Sequence, residues 1–222
     1  MIKKSDFNVA VILSGCGYLD GSEISEVILT LFSLERKGIN YQCFAPNIEQ
    51  CEVIDHLTGK QICEKRNVLL ESARIVRGKV KSITECNALY FNALIVPGGF
   101  GVTKNLSDFA SLGINFKLKI DILKICRSFI GKAVGYICIA PILLPLIYGK
   151  NIKLTIGNNQ KINDIVNSLG GVAINCTVDD IIVDIKNKVI STPGYMLANN
   201  ISEAYRGIDK LVGKILELSD YK

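Results

Sequence analysis

Histidine is nearly missing from this chain. Of 222 residues only His56, in EVIDHLTGK, is histidine, and none follows it. A Cys–His dyad is therefore not evident, and His56 reads as a loop residue. Paired metal-ligand spacings are missing too. The eight cysteines lie at 16, 43, 51, 63, 86, 126, 138 and 176, with no CxxC and no zinc-type Cys/His cluster. Most of them read as small core residues. Neither a metal nor any other cofactor is expected. Long runs of one charge are absent although the net charge is +5, and no aromatics interleave with a basic stripe. That excludes a nucleic-acid footprint and leaves a solvated surface.

A spanning hydrophobic run is also lacking. The most apolar stretch, Lys132 to Gly149 (KAVGYICIAPILLPLIYG), falls short of the ~20 residues a bilayer requires. Pro141 and Pro145 interrupt it. The N-terminal MIKKSDFNVAVILSG has too short an apolar part for a secretory h-region, and no cleavage site follows. A cytoplasmic protein without membrane contact is expected. There is no repeat, low-complexity tract or linker, so residues 1–222 read as one domain. Hydrophobic residues make up 49% of the chain, which argues against disorder.

What is present alternates between strands and helices. Strands are predicted at 8–14, 39–45, 93–96, 132–138 and 153–156, with a hairpin of 180–185 and 188–191 about the turn Lys186-Asn187. Helices are predicted at 22–37 (Ser22 as N-cap, Gly38 as stop), 67–76, 116–130, from 139 onward with Pro141 in the first turn, 161–169 and 198–218. Such alternation implies an α/β fold, a mostly parallel sheet with helices on both faces in three layers. In such sheets sites form beyond the strand C-terminal ends.

The unusual residues cluster in those turns. Cys138 sits where a strand meets a helix, between Gly135 and Ala140, small neighbours of the kind a nucleophile elbow needs. Free N–H groups of the following helix would favour its thiolate. A buried strand-end cysteine fits the motif equally well. PGGFG, Pro97 to Gly101, exposes backbone N–H groups suited to half an oxyanion hole or simply to a tight turn. SGCGYLDGSEISE, Ser14 to Glu26, approaches a dinucleotide fingerprint but has Asp20 where the third glycine belongs. Glu23 and Glu26 share one face at the start of a helix, as caps or as a proton shuttle. Cys16 lies in the same turn, lining the site or packing.

Together these pieces resemble a family. VILSGCGYLDGSEISE, DHLTGK, NVLLESARIVRGKV, ALIVPGGFGVTKNLSDFASLG, ICIAP, VDDIIVD and STPGYMLANNISEAYRGIDKLV are similar, in order and over nearly the whole chain, to the ElbB-like isoprenoid-biosynthesis glyoxalases (enhancing lycopene biosynthesis proteins). These belong to the PfpI superfamily, with its flavodoxin-like, class I glutamine amidotransferase-like fold. The resemblance implies Cys138 as elbow nucleophile and Glu26, counted back from Lys37-Gly38-Ile39, as its acid. It implies Gly99 and Ile139 as oxyanion N–H donors, with Gly98, Glu23, Cys16 and Pro193 of STPGY around them. It also implies a homodimer.

The departures from the family narrow the chemistry. Ile139 stands where many members have histidine after the cysteine. The downstream His-x-Glu pair that glutamine hydrolysis needs is missing. What the resemblance leaves is glutathione-independent conversion of a small aldehyde, glyoxal or methylglyoxal, into a 2-hydroxy acid, or a related deglycase activity. The alternatives are a cysteine redox sensor or stress chaperone, and a non-catalytic partner in isoprenoid metabolism.

Overall fold

The computed structural model describes residues 7–219. In chain order its elements are β1 (Asn8–Ile12), α1 (Ile24–Arg36), β2 (Asn40–Ala45), β3 (Val53–Asp55), β4 (Lys60–Ile62), α2 (Val68–Ile75), β5 (Val80–Ser82), β6 (Ala93–Val96), α3 (Gly101–Lys104), α4 (Phe109–Leu112), α5 (Ile120–Ser128), β7 (Ala133–Ile137), α6 (Leu144–Tyr148), β8 (Lys153–Leu154), α7 (Gln160–Ser168), β9 (Val172–Ala173), β10 (Ile182–Asp184), β11 (Val189–Thr192) and α8 (Ile201–Leu218). Seven strands form one sheet in the order β10-β11-β7-β6-β1-β2-β5. All neighbours are parallel except the hairpin pair β10–β11.

The central strands β6 (ALIV) and β7 (AVGYI) are buried at every position. They carry no polar face because both sides of the sheet are covered. Successive β7 side chains point to opposite layers. A Cβ at Gly135 would meet Leu211 and Ile215 of α8, and α8 also packs on α1. Tyr136 faces the other way, toward Cys126 of α5 and Tyr148 of α6. These are the two outer layers of the sandwich.

Several boundaries differ from the sequence expectation, each for a local reason. Helix α1 is capped by Glu23, whose side chain accepts the Glu26 N–H, rather than by Ser22. The Ser22 hydroxyl is already engaged by the Ser14 N–H at 2.8 Å. Helix α5 starts at Ile120, because Leu118 makes a bridge with Ser107 and Phe116 stacks edge-on against Phe109. The helix expected after Cys138 splits into a 3₁₀ turn, Ala140–Leu143, and the five-residue α6. Pro145 has no N–H to give the Pro141 carbonyl, and Leu144 donates to it in a tighter bond instead. Among the described residues no helix is long and apolar enough to cross a membrane. The hairpin β3–β4, with Asp55-His-Leu-Thr-Gly59 at its turn, and the edge strand β5 had no distinct apolar signal.

Gly207 of α8 marks a close approach. A Cβ there would stand 2.7 Å from the Val178 carbonyl oxygen and 2.6 Å from Thr192 Oγ1. Alanine would gain roughly 1 kcal/mol of helix propensity, but overpacking against backbone costs about 1–3 kcal/mol. Gly207→Ala is expected to lower the urea midpoint; an unchanged or raised midpoint would show that α8 can shift away freely.

Candidate active site

Three turns beyond the strand C-terminal ends build the site: Ser14–Glu23 after β1, Pro97–Gly101 after β6, and Cys138–Ala140 after β7. The chain after β11 closes it. At the elbow, Cys138 takes φ +63, the left-handed region that non-glycine residues rarely occupy. Its N–H donates to Thr192 O at 2.9 Å, which ties the elbow to the end of β11. Such a conformation persists only where its surroundings over-determine it.

Those surroundings leave no spare space. Gly98 lies against both reactive side chains: a Cβ there would fall 2.4 Å from Cys138 Cβ and 2.6 Å from Glu26 Oε2. Gly99 takes φ +96, and its Cβ would strike Gly21 O and Glu23 N. Backbone bonds sew the glycine turn to the first turn: Glu23 N–H to Gly98 O at 3.0 Å, Phe100 N–H to Tyr18 O at 2.7 Å, and Gly101 N–H to Gly21 O at 2.8 Å. Gly98→Ala is expected to destabilise the fold by about 1–3 kcal/mol and to separate Cys138 from Glu26. Denaturation and the pH titration of the pair would read both. A variant of native stability with an unchanged titration would show that the contact is slack.

Glu26 is fully buried. Its Oε2 accepts the Gly98 N–H at 2.8 Å and its Oε1 the Tyr195 N–H at 2.9 Å. The Cys138 sulfur faces the same carboxylate across Gly98, close enough for each group to act on the other's charge, and the Gly99 and Ile139 N–H groups act on the sulfur as well. Burial lifts the Glu26 pKa from near 4.5 to about 7. The Glu23 charge adds to the rise, while the Tyr195 and Gly98 N–H groups and the thiol oppose it. Cys138 is pushed well above an ordinary thiol, first by burial and then by Glu26, against the pull of the two N–H groups. The sequence expectation of a thiolate favoured by a helix terminus is thereby corrected. Cys138 is only 7% exposed, the helix behind it opens as a short 3₁₀ turn, and burial outweighs both donors.

The other expected residues fall as follows. Half-buried Glu23 caps α1, its Oε2 2.5 Å from the Glu26 N, and burial raises its pKa. Pro193 precedes Gly194, where a Cβ would meet Glu26 Oε1 at 2.4 Å. Cys16 does not join Cys138. Its thiol feels the charges of Glu71, Arg74, Asp20 and Arg66, and the adjoining Gly15 N–H donates to Ser72 of α2 at 3.0 Å. His56 is brought to the outer side of the first turn, accepting the Leu19 N–H at 3.3 Å. Sequence reasoning missed the Tyr195 N–H and the need for glycine at 194; the Pro-Gly of STPGY was their only signal. Among the described residues no group of three His, Cys, Asp or Glu side chains is placed to hold a metal.

No family model matches the chain. Curated relatives do. It is 39% identical to the rat "ES1 protein homolog, mitochondrial" over 95% of its own length and 84% of the relative's. It is also 39% identical to the human "Glutamine amidotransferase-like class 1 domain-containing protein 3, mitochondrial", over 95% and 83%. The crystal structure of an isoprenoid biosynthesis protein with amidotransferase-like domain from Ehrlichia chaffeensis superposes with TM-score 0.89 at 35% identity, covering 96% of this chain and 99% of that one. Drosophila melanogaster DJ-1beta, at 18% identity and TM-score 0.56 over 98% and 92%, shares the fold. The relatives' names overturn the cytoplasmic expectation.

Proposed function

The chain belongs to the family of ES1 and glutamine amidotransferase-like class 1 domain-containing proteins, and from that premise we propose that it is a glutathione-independent glyoxalase acting on small 2-oxoaldehydes. One observation carries the reading. A buried thiol and a carboxylate of pKa about 7 stand together against Gly98, beside the Gly99 and Ile139 N–H groups that favour charge on the sulfur.

The steps balance without an external oxidant. Glu26 takes the Cys138 proton as the sulfur bonds to the aldehyde carbon. The Gly99 and Ile139 N–H groups hold the developing oxyanion. Glu26 returns the proton to that oxygen, giving a hemithioacetal. It then removes the proton from the sulfur-bearing carbon, giving an enediolate as the neighbouring carbonyl oxygen takes up the adjacent hydroxyl proton, and delivers the abstracted proton to the neighbouring carbon. The hemithioacetal becomes a 2-hydroxy thioester by internal redox. Water cleaves the C–S bond, releasing glycolate from glyoxal or lactate from methylglyoxal and restoring the thiol. No histidine activates that water, so thioester hydrolysis limits turnover and the acyl-enzyme accumulates.

The redox-sensor alternative needs an accessible, low-pKa sulfur. The burial and raised pKa of Cys138 weigh against it. The homodimer implied by the family resemblance remains part of this proposal.

The test is product identity. Protein in chelator-treated, glutathione-free buffer is expected to convert glyoxal to glycolate, followed by NMR. Aldehyde loss without hydroxy acid would overturn the assignment.

A further inference from the structure

The lone histidine reaches the site's outer wall through the hairpin β3–β4. His56 Nε2 accepts the Leu19 N–H at 3.3 Å, and Nδ1 lies 3.0 Å from Ile54 O. These bonds fit the neutral tautomer with its hydrogen on Nδ1. Beside the ring is an unmatched group. Asp20 is 2% exposed. Its Oδ2 accepts the Ile54 N–H at 2.7 Å, while Oδ1 has no partner and stands 3.9 Å from His56 Nε2. A buried carboxylate oxygen without a donor is costly. Gly17 takes φ +122, where a side chain is strained, and a Cβ there would lie 2.5 Å from Nε2 and push the ring aside.

We propose that His56 is a positioning residue for the thiol–carboxylate site, and that protonating Nε2 transfers its bond from the Leu19 N–H to Asp20 Oδ1. An imidazolium cannot accept the Leu19 N–H but can supply the donor Asp20 lacks. The loop that would move is the one sewn to the oxyanion turn. Tyr18 O holds the Phe100 N–H, Gly21 O holds the Gly101 N–H, and Leu19 O holds Lys104 Nζ at 2.7 Å. The groups around His56 are Asp20 and the Tyr18 ring, edge-on at 5.5 Å, from the loop, and Asp55 from its own hairpin. Behind Leu19 stands the Lys104–Glu52 pair, and Arg66 lies within reach of the Asp20 charge. Acid therefore loosens the seat of Gly99.

The catalytic consequence rests on the function proposed above; the bond exchange does not. A single histidine makes the imidazole resonances unambiguous. Between pH 8 and 5, where histidine changes charge, the Leu19 amide is expected to titrate together with the His56 ring. In Asp20→Asn the amide should still follow the ring but at a lower midpoint, because the imidazolium loses its carboxylate partner, and an unchanged midpoint would overturn the transfer. With the ring absent, in His56→Gln, whose exposed position leaves folding intact, the co-titration should be lost. A Leu19 amide that ignores the His56 titration would overturn the proposal. So would its persistence with the same midpoint in His56→Gln. Hydroxy-acid formation should show an acid inflection that His56→Gln removes while the Glu26 inflection stays; retention of both would also overturn it. If the wild type forms no hydroxy acid, the glyoxalase reading falls and the NMR arm alone decides this one.

Discussion

Cys138→Ser is expected to lower hydroxy-acid formation from glyoxal by roughly three orders of magnitude or more, the scale of removing a nucleophile. Serine keeps the elbow's shape and fits the space beside Gly98. What it loses is acidity. A carboxylate with pKa about 7 can accept a thiol proton during attack, but an alcohol is far harder to deprotonate and no histidine touches the site to help. Circular dichroism should show the native fold, and the acyl-enzyme mass increment seen with wild type should be absent. If the serine variant consumes aldehyde as fast as wild type, the loss reflects adducts on surface lysines and arginines. The nucleophile assignment would then fail.

The parts of this site that the sequence displays are those made by neighbours along the chain. The elbow shows in the small residues around Cys138, the glycine turn in Pro97 to Gly101, and the carboxylate face in Glu23 and Glu26. The parallel strands show because β6 and β7 are apolar at every position. What stays hidden depends on tertiary approach. Ser22 is a good cap by type, but Ser14 had claimed its hydroxyl. Cys16 lies between Gly15 and Gly17, a setting in which no motif reveals the side its thiol takes, and the folded turn leaves it to the charges of Glu71 and Arg74 rather than to Cys138. His56, distant from the first turn along the chain, arrives there through a hairpin too short and polar to announce itself. The charge state of the thiol is the clearest case. The local pattern suggests a helix terminus that lowers its pKa, whereas burial, visible only in the packed site, raises it.

Glu26→Gln is expected to separate activity from stability. Turnover should fall by about 10²–10⁴, the usual contribution of a general acid–base group. Stability should respond in a pH-dependent way. The native pKa, about 7, lies above the unfolded value near 4.5. Protonated Glu26 therefore stabilises the fold fully below pH 4.5, and that contribution is lost as pH rises through 7. The difference amounts to about 3 kcal/mol at the scale of 1.4 kcal/mol per unit. Glutamine has no such charge. Against this, its –NH₂ must face either the Gly98 or the Tyr195 N–H, both of which now have an acceptor, at about 1–3 kcal/mol. The two effects nearly cancel at pH 8, so a single midpoint there decides little. The slope decides: between pH 4.5 and 7 wild type should lose stability relative to the variant, measured by urea denaturation at matched pH values. Parallel curves would mean that Glu26 is not held near neutrality. A carboxylate of ordinary acidity is a poor proton donor at pH 7, so the shuttle step would lose its physical basis even if Cys138 proved reactive.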